Sequence, residues 1–263
     1  MLDGHSFLDI CSAASAEVKK AVSPLIGTAY GSENIVMGAD NTPTERLDKV
    51  AEDIILKIFS EKKVCKYILS EEAGLVDIGG DSGIAYLDPI DGSFNAGEGI
   101  PFYAVSIALS DGVDVIAGFV MNLANGETFT AVKGEGSKLN GKPIHVSNKS
   151  ELRSSAMSIY CRTQEMKSMI IEKGIHVRRC RMLGASAIEL SYVACGRLDG
   201  FLDLRGNLRV TDAAAGILIC REAGGIVSLP DGSECVFKDD VKYGSKLLVA
   251  NPEIHRIVTG LMG

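Results

Sequence analysis

Apolar residues recur at helical spacing twice near the start of the chain. Phe7, Ile10, Ala14, Val18 and Val22 share one face and predict a helix over roughly Ser6 to Leu25. Beyond a Gly-rich stretch, Gly27 to Asp40, a second stripe is formed by Leu47, Val50, Ile54, Ile55, Ile58 and Phe59. Thr42-Pro43-Thr44-Glu45 predicts where that helix starts, with a capping hydroxyl, a proline at the first helical position and an acid three residues on. From Val64 the pattern changes to short apolar runs broken by turn residues: Cys65–Leu69, Ile84–Leu87, Phe102–Leu109, Val115–Met121 and Glu127–Val132. Asp111-Gly112 and Asn140-Gly141 are hairpin signals. This half reads as two helices over a largely antiparallel sheet.

From about Glu151 strands and helices alternate. Strands are expected at Ala156–Tyr160, Arg178–Met182, Gly200–Asp203, Gly225–Ser228 and Leu247–Ala250. Helices are expected at Ser186–Cys195 and Asp212–Ala223, the latter closed by Gly224-Gly225. The boundary falls in Ser147–Arg153, dividing the chain into an α+β part (1–148) and an α/β part (149–263).

Composition narrows the class. With 46% hydrophobic and 23% charged residues among 263, the chain has the make-up of a globular protein with a substantial core. No uncharged apolar run approaches the roughly 20 residues of a membrane span. Met1 to Ser12 carries an early Asp3 and lacks the order of a signal peptide. A net charge of −7 argues against nucleic acid as the main partner. Seven cysteines without a CxxC pair read as reduced thiols, and the expected location is the cytoplasm. Four isolated histidines make chemistry built on a His cluster unattractive.

Acids at element ends carry the strongest signal. Asp88-Pro89-Ile90-Asp91-Gly92-Ser93 follows the run Ile84–Leu87, so two carboxylates and the Ile90 carbonyl leave a strand end on a stiff turn. Hard divalent cations such as Mg²⁺ want such oxygen ligands, and amides at Gly92 and Ser93 suit an anion if a helix begins there. Asp, Pro and Gly are also the commonest turn residues, and by itself the hexapeptide reads equally as an acidic surface turn. Ser70-Glu71-Glu72 closes another apolar run, and Asp212 sits in the first turn of a helix rich in small residues. Taken singly, these are a solvated acid pair and an N-cap.

Together, Glu71-Glu72, Asp88-Pro89-Ile90-Asp91-Gly92-Ser93 and Asp212-Ala213-Ala214-Ala215-Gly216 resemble the inositol monophosphatase family, from about residue 40 to the C-terminus. That family lies within the lithium-sensitive, metal-dependent phosphatases that include fructose 1,6-bisphosphatases. Lys133-Gly134-Glu135-Gly136 through Asn140-Gly141 and Gly184-Ala185-Ser186-Ala187 look like further family stretches. The resemblance implies a layered αβαβα sandwich with the site between the halves, and a homodimer. It implies two or three Mg²⁺, replaceable by Mn²⁺. Glu71, Asp88 and the Ile90 carbonyl would hold the first ion; Asp88, Asp91 and Asp212 the second; and a looser third would lean on Glu71. Gly92 and Ser93 would bind the phosphate. The Ser93 hydroxyl, in place of a common family Thr, would activate water together with Asp48.

On the substrate side, Arg205 stands where inositol-preferring members often carry a carboxylate. With Arg179, Arg181 and Tyr160 nearby, and Gly184 and Ser186 in the adjoining stretch, it suits a second phosphate. The pattern looks like archaeal-type members acting on fructose 1,6-bisphosphate and inositol monophosphates; surface ion pairs of Arg205 and Arg209 are the bland alternative. The rival functions are a 3′-phosphoadenosine 5′-phosphate phosphatase and a non-catalytic sugar-phosphate-binding relative. Gly136 to Lys142 mimics a P-loop, but Pro143 stands where the Ser or Thr is needed, so a hairpin is expected there.

Overall fold

The computed structural model describes residues 2–263. The first apolar stripe forms α1 (Gly4–Val22), capped by the Asp3 carboxylate, which accepts from the His5 and Ser6 amides at 3.0 Å. A hairpin of β1 (Asn34–Met37) and β2 (Pro43–Glu45) precedes α2 (Arg46–Lys62). The start of α2 departs from the sequence expectation. Thr42 gives both its amide and its hydroxyl to Asp40 Oδ1 (2.8 Å each), and Pro43 and Thr44 pair with Met37 and Val36. The Asp40 side chain captures the Thr42 donors in a local turn, so that residue is not free to cap a helix. Once begun, α2 buries Leu47, Ala51, Ile55 and Phe59, and Phe59 meets Phe7 of α1 edge-on at 6.0 Å.

The short apolar runs become β3 (Tyr67–Ser70), β4 (Gly74–Asp77) and β5 (Ile84–Asp91), the single-turn α3 (Ser93–Gly97), then β6 (Ala104–Ser110), β7 (Val115–Asn122), β8 (Thr128–Val132), β9 (Ser137–Leu139) and β10 (Lys142–Ile144). They form one eight-stranded sheet in the order β10-β9-β8-β7-β6-β5-β3-β4. Its neighbours are antiparallel except β3 and β5. Asn140 and Gly141, with φ of 50° and 77°, join β9 to β10, so the P-loop mimic is a two-residue hairpin.

The second half contributes β11 (Ala156–Tyr160), α4 (Gln164–Glu172), β12 (Arg179–Arg181), α5 (Ser186–Ala194), β13 (Gly200–Leu208), α6 (Val210–Glu222), β14 (Ile226–Ser228), β15 (Ser245–Ala250) and α7 (Pro252–Met262). Five of these strands form a mixed sheet, β12-β11-β13-β15-β14. The expected helices do not include α4, which has no fully buried residue, nor α7, which starts on an Asn251 cap with Pro252 at its first position and carries Ile254, Ile257, Val258 and Leu261 at helical spacing.

Helices α1 and α2 cover the outer face of the large sheet, α5 and α6 lie between the sheets, and α4 and α7 back the small one. The architecture is the expected αβαβα sandwich. Being covered on both sides, α6 is buried from Val210 to Cys220 and shows no polar face. Gly216 brings it close to α5, since a Cβ there would lie 2.7 Å from that of Leu190. The middle core takes Tyr86 and Phe129 from the first half and Phe201 and Leu247 from the second. Among the described residues no helix is long and apolar enough to cross a membrane, and all seven cysteines are free.

Candidate active site

Strand pairing brings the acids together. In the parallel pair β3–β5, Ser70 faces Leu87, and the Glu71 amide extends the ladder by donating to the Leu87 carbonyl at 3.1 Å. Glu71 and Asp88 therefore leave adjacent strands side by side. The turn after β3 is anchored by the buried Glu52 of α2, which accepts from Ser70 Oγ at 2.5 Å and from the Ala73 amide at 2.8 Å. On β5, Asp88 faces Ser106 while Asp91 faces Ala104, a bulge that puts an extra residue at Pro89-Ile90 and bends the strand end. Gly92 follows with φ of 89°, where a Cβ would meet Ala185 and the Gly184 carbonyl at 3.0 Å, so glycine is required. The third acid, Asp212, is fixed at the start of α6 by accepting the Arg209 amide at 2.8 Å.

Carboxylate oxygens of Glu71, Asp88 and Asp212 all lie within 4.8 Å of one another. Asp88 is 2% exposed, and its Oδ1 has no hydrogen-bond partner. Burial, then Glu71, Asp91 and Asp212, push its carboxyl well above the usual range. Burial raises Glu71 to about 8, with Asp212, Glu72 and Asp40 adding to the rise against the pull of Arg209. An orphaned buried oxygen inside a self-repelling set of hard donors fits a divalent cation such as Mg²⁺ or Mn²⁺. The acids open onto a cavity of about 520 Å³, which Ile90, Gly92, Ser93, Gly184, Ser186 and Arg205 also line.

These shifts predict how metal response depends on pH. Glu71 is raised above its unfolded value of about 4.3, so its contribution to metal-free stability is fully present below that pH and lost as the pH rises through about 8. A cation must displace that proton. The rise in thermal midpoint on adding Mn²⁺ is expected to be small at pH 5.5 and to grow toward pH 8.5. A rise independent of pH would remove Glu71 from the ligand set.

Other expected residues are placed less simply. Asp91 lines the cavity, but both its oxygens already accept amides at the start of α5, Ser186 at 3.0 Å and Ala187 at 2.7 Å. Asp48 is buried off the cavity wall, and burial, then Glu71, Glu72 and Glu45, hold its carboxyl well above the usual range. Tyr160 does not reach the cavity: its hydroxyl donates to buried Glu189 at 2.5 Å and accepts the Gly184 amide at 2.8 Å. Its ring instead carries the Arg205 guanidinium, 4.1 Å from the centroid. Arg205 lines the cavity while paired with the buried Asp203 at 2.6 Å. Arg179 and Arg181 are exposed on the edge strand β12, outside the cavity, where parallel pairing with β11 carries them.

Three charged residues of the cavity wall are not among the expected site residues: Asp40, Lys242 and Arg209, which the sequence offers only as a partner in ion pairs and which does form them. Arg209 contacts Asp40 and Glu71 at 2.6 Å and Asp212 at 3.0 Å. An Arg three residues before an acid at a helix start is a readable pairing signal, whereas Asp40 and Lys242 sit in loops that carry none.

The inositol monophosphatase family model matches residues 8–260. A fructose-1,6-bisphosphatase/inositol-1-monophosphatase of Methanothermobacter thermautotrophicus is 40% identical over 91% of this chain and 90% of its own length. A bifunctional NADP phosphatase/NAD kinase of Methanococcus maripaludis is 34% identical over 97% of this chain, which spans only 49% of that protein. Among solved structures, a Pyrococcus horikoshii protein with similarities to inositol-1 monophosphatase superposes with a TM-score of 0.86 at 34% identity, covering 99% of this chain and 98% of its own. The acid triad, the Gly92 turn and the five-layer sandwich thus coincide with a match along nearly the whole sequence, and the chain belongs to the inositol monophosphatase family of phosphatases.

Proposed function

We propose that the chain hydrolyses phosphomonoesters of small sugars and polyols, with fructose 1,6-bisphosphate and inositol monophosphate as substrates. The observation that carries this reading is the Glu71–Asp88–Asp212 convergence beside Gly92 and Ser93 in one polar cavity. Glu71, Asp88, the Ile90 carbonyl, Asp91 and Asp212 would hold two or three Mg²⁺. Such ions, when bound, polarise the phosphoryl group and lower the pKa of a coordinated water. The chain's own groups do the rest. Amides of Gly92 and Ser93 bind phosphate oxygens, and Ser93 Oγ orients the attacking water. Asp48, buried off the cavity wall, would take the proton only through an intervening group, and it must be ionised to do so, against the burial and acidic neighbours that hold its carboxyl above the usual range. The free cysteines fit a reducing cytoplasm, and the family resemblance supports a homodimer.

Arg205 and Lys242 would receive the second charged group. Lys242 has no ion pair among the described residues, and Arg205 keeps Nη1 free while Nε and Nη2 serve Asp203. Losing a hydrogen bond to a charged group costs about 1.5–3 kcal/mol. Arg205→Ala is therefore expected to cut kcat/KM for fructose 1,6-bisphosphate roughly 10- to 150-fold, leaving inositol 1-phosphate within about threefold. Equal losses on both would make Arg205 a support of the common site. A second reading, a nucleotide phosphatase, is favoured by the match to the bifunctional NADP phosphatase. Phosphate release with Mg²⁺ from these two substrates, NADP and 3′-phosphoadenosine 5′-phosphate ranks the readings; no release from any would leave a non-catalytic binder.

A further inference from the structure

We propose that Arg209 is the counter-cation of the metal site, holding the acid cluster together in the metal-free protein and surrendering Glu71 and Asp212 when divalent ions bind. The inference rests on the metal-dependent reading above and adds a positioning residue to it.

One guanidinium joins three separate elements. Nη1 lies 2.6 Å from Asp40 Oδ2 in the β1–β2 turn, and Nη2 lies 2.6 Å from Glu71 Oε1 after β3 and 3.0 Å from Asp212 Oδ1 in α6. Two of these partners belong to the triad that converges within 4.8 Å. The Arg209 side chain is 21% exposed, and arginine does not lose its proton in proteins, so the charge stays in place. No other cation on the cavity wall has this position: Arg205 is held by Asp203, and Lys242 is exposed and unpaired among the described residues.

A carboxylate oxygen that accepts an N–H at 2.6 Å directs its lone pair at the guanidinium. A guanidinium and a divalent ion sharing the same carboxylates repel each other. Metal loading is then an exchange of cations, with the protein supplying the first. The Arg209 amide, which donates to Asp212 Oδ2 at 2.8 Å, plays no part in the exchange and keeps α6 capped throughout.

The test compares wild type with Arg209→Gln and Arg209→Lys at pH 8.5. The readouts are the thermal midpoint without and with saturating Mn²⁺, and the Mn²⁺ dissociation constant by calorimetry. For Arg209→Gln we expect the metal-free midpoint to fall by several degrees and the Mn²⁺-loaded midpoint to stay within about one degree of wild type. Mn²⁺ should bind roughly tenfold tighter, because no resident cation must leave. Arg209→Lys, which keeps the charge without the fork, should fall between the two and carries the test if the glutamine variant does not fold. Equal losses with and without Mn²⁺, or an unchanged dissociation constant, would overturn the proposal and leave Arg209 a support of the α6 start. If wild type itself neither binds nor responds to Mn²⁺, the metal-dependent reading fails instead.

Discussion

Asp88→Asn is expected to lower phosphate release by about 10³-fold or more, beyond the roughly 10²–10³ lost with a single electrostatic donor in other active sites. The residue is the most deeply buried acid of the triad. It lies beside Glu71 through the parallel β3–β5 pair, shares the triad with Asp212, and keeps one buried oxygen free of any protein donor. Asparagine preserves the shape and the β5 ladder but replaces an anionic ligand oxygen with an amide. It also removes a carboxyl whose ionisation burial and the neighbouring acids disfavour, so the metal-free variant should melt no lower than wild type. The loss of activity would then not be a loss of folding. An Asp88→Asn enzyme near the wild-type rate, or full wild-type activity after chelation, would sink the metal hypothesis.

Ser93→Ala is expected to reduce kcat about 10²-fold or more, with KM moving far less. Ser93 opens α3 directly after the Gly92 turn, and both residues line the cavity beside the acids. Alanine removes only Oγ. The two backbone amides stay where the φ of 89° at Gly92 puts them, so phosphate binding should survive while water orientation does not. A variant whose kcat holds while KM rises would make Ser93 a phosphate ligand alone and move water activation elsewhere.

The parts of this protein legible in the sequence are those whose causes lie within a few residues. Asp88-Pro89-Ile90-Asp91-Gly92-Ser93 carries its own bend, bulge and left-handed glycine, so motif and geometry coincide. Asn140-Gly141 is a hairpin because both residues tolerate positive φ. The same local reading fails at Thr42-Pro43-Thr44. Two valid signals compete there, and Asp40, two residues upstream, takes the hydroxyl that would have capped α2. It fails again at α4, whose weakly buried face leaves little apolar period to detect.

By itself the sequence determined the family and the acids that could hold a cation, since both depend on short motifs, and it pointed to the layered αβαβα class only through that family resemblance. Tertiary structure alone decided what those acids and their neighbours touch. Asp91 is shared with the start of α5, and the Tyr160 hydroxyl is spent on Glu189 and Gly184. Arg209 closes on Asp40 across 169 residues of chain. Contacts of that kind arise from how the layers stack, and side chains brought together only by packing leave no spacing in the sequence to find them by.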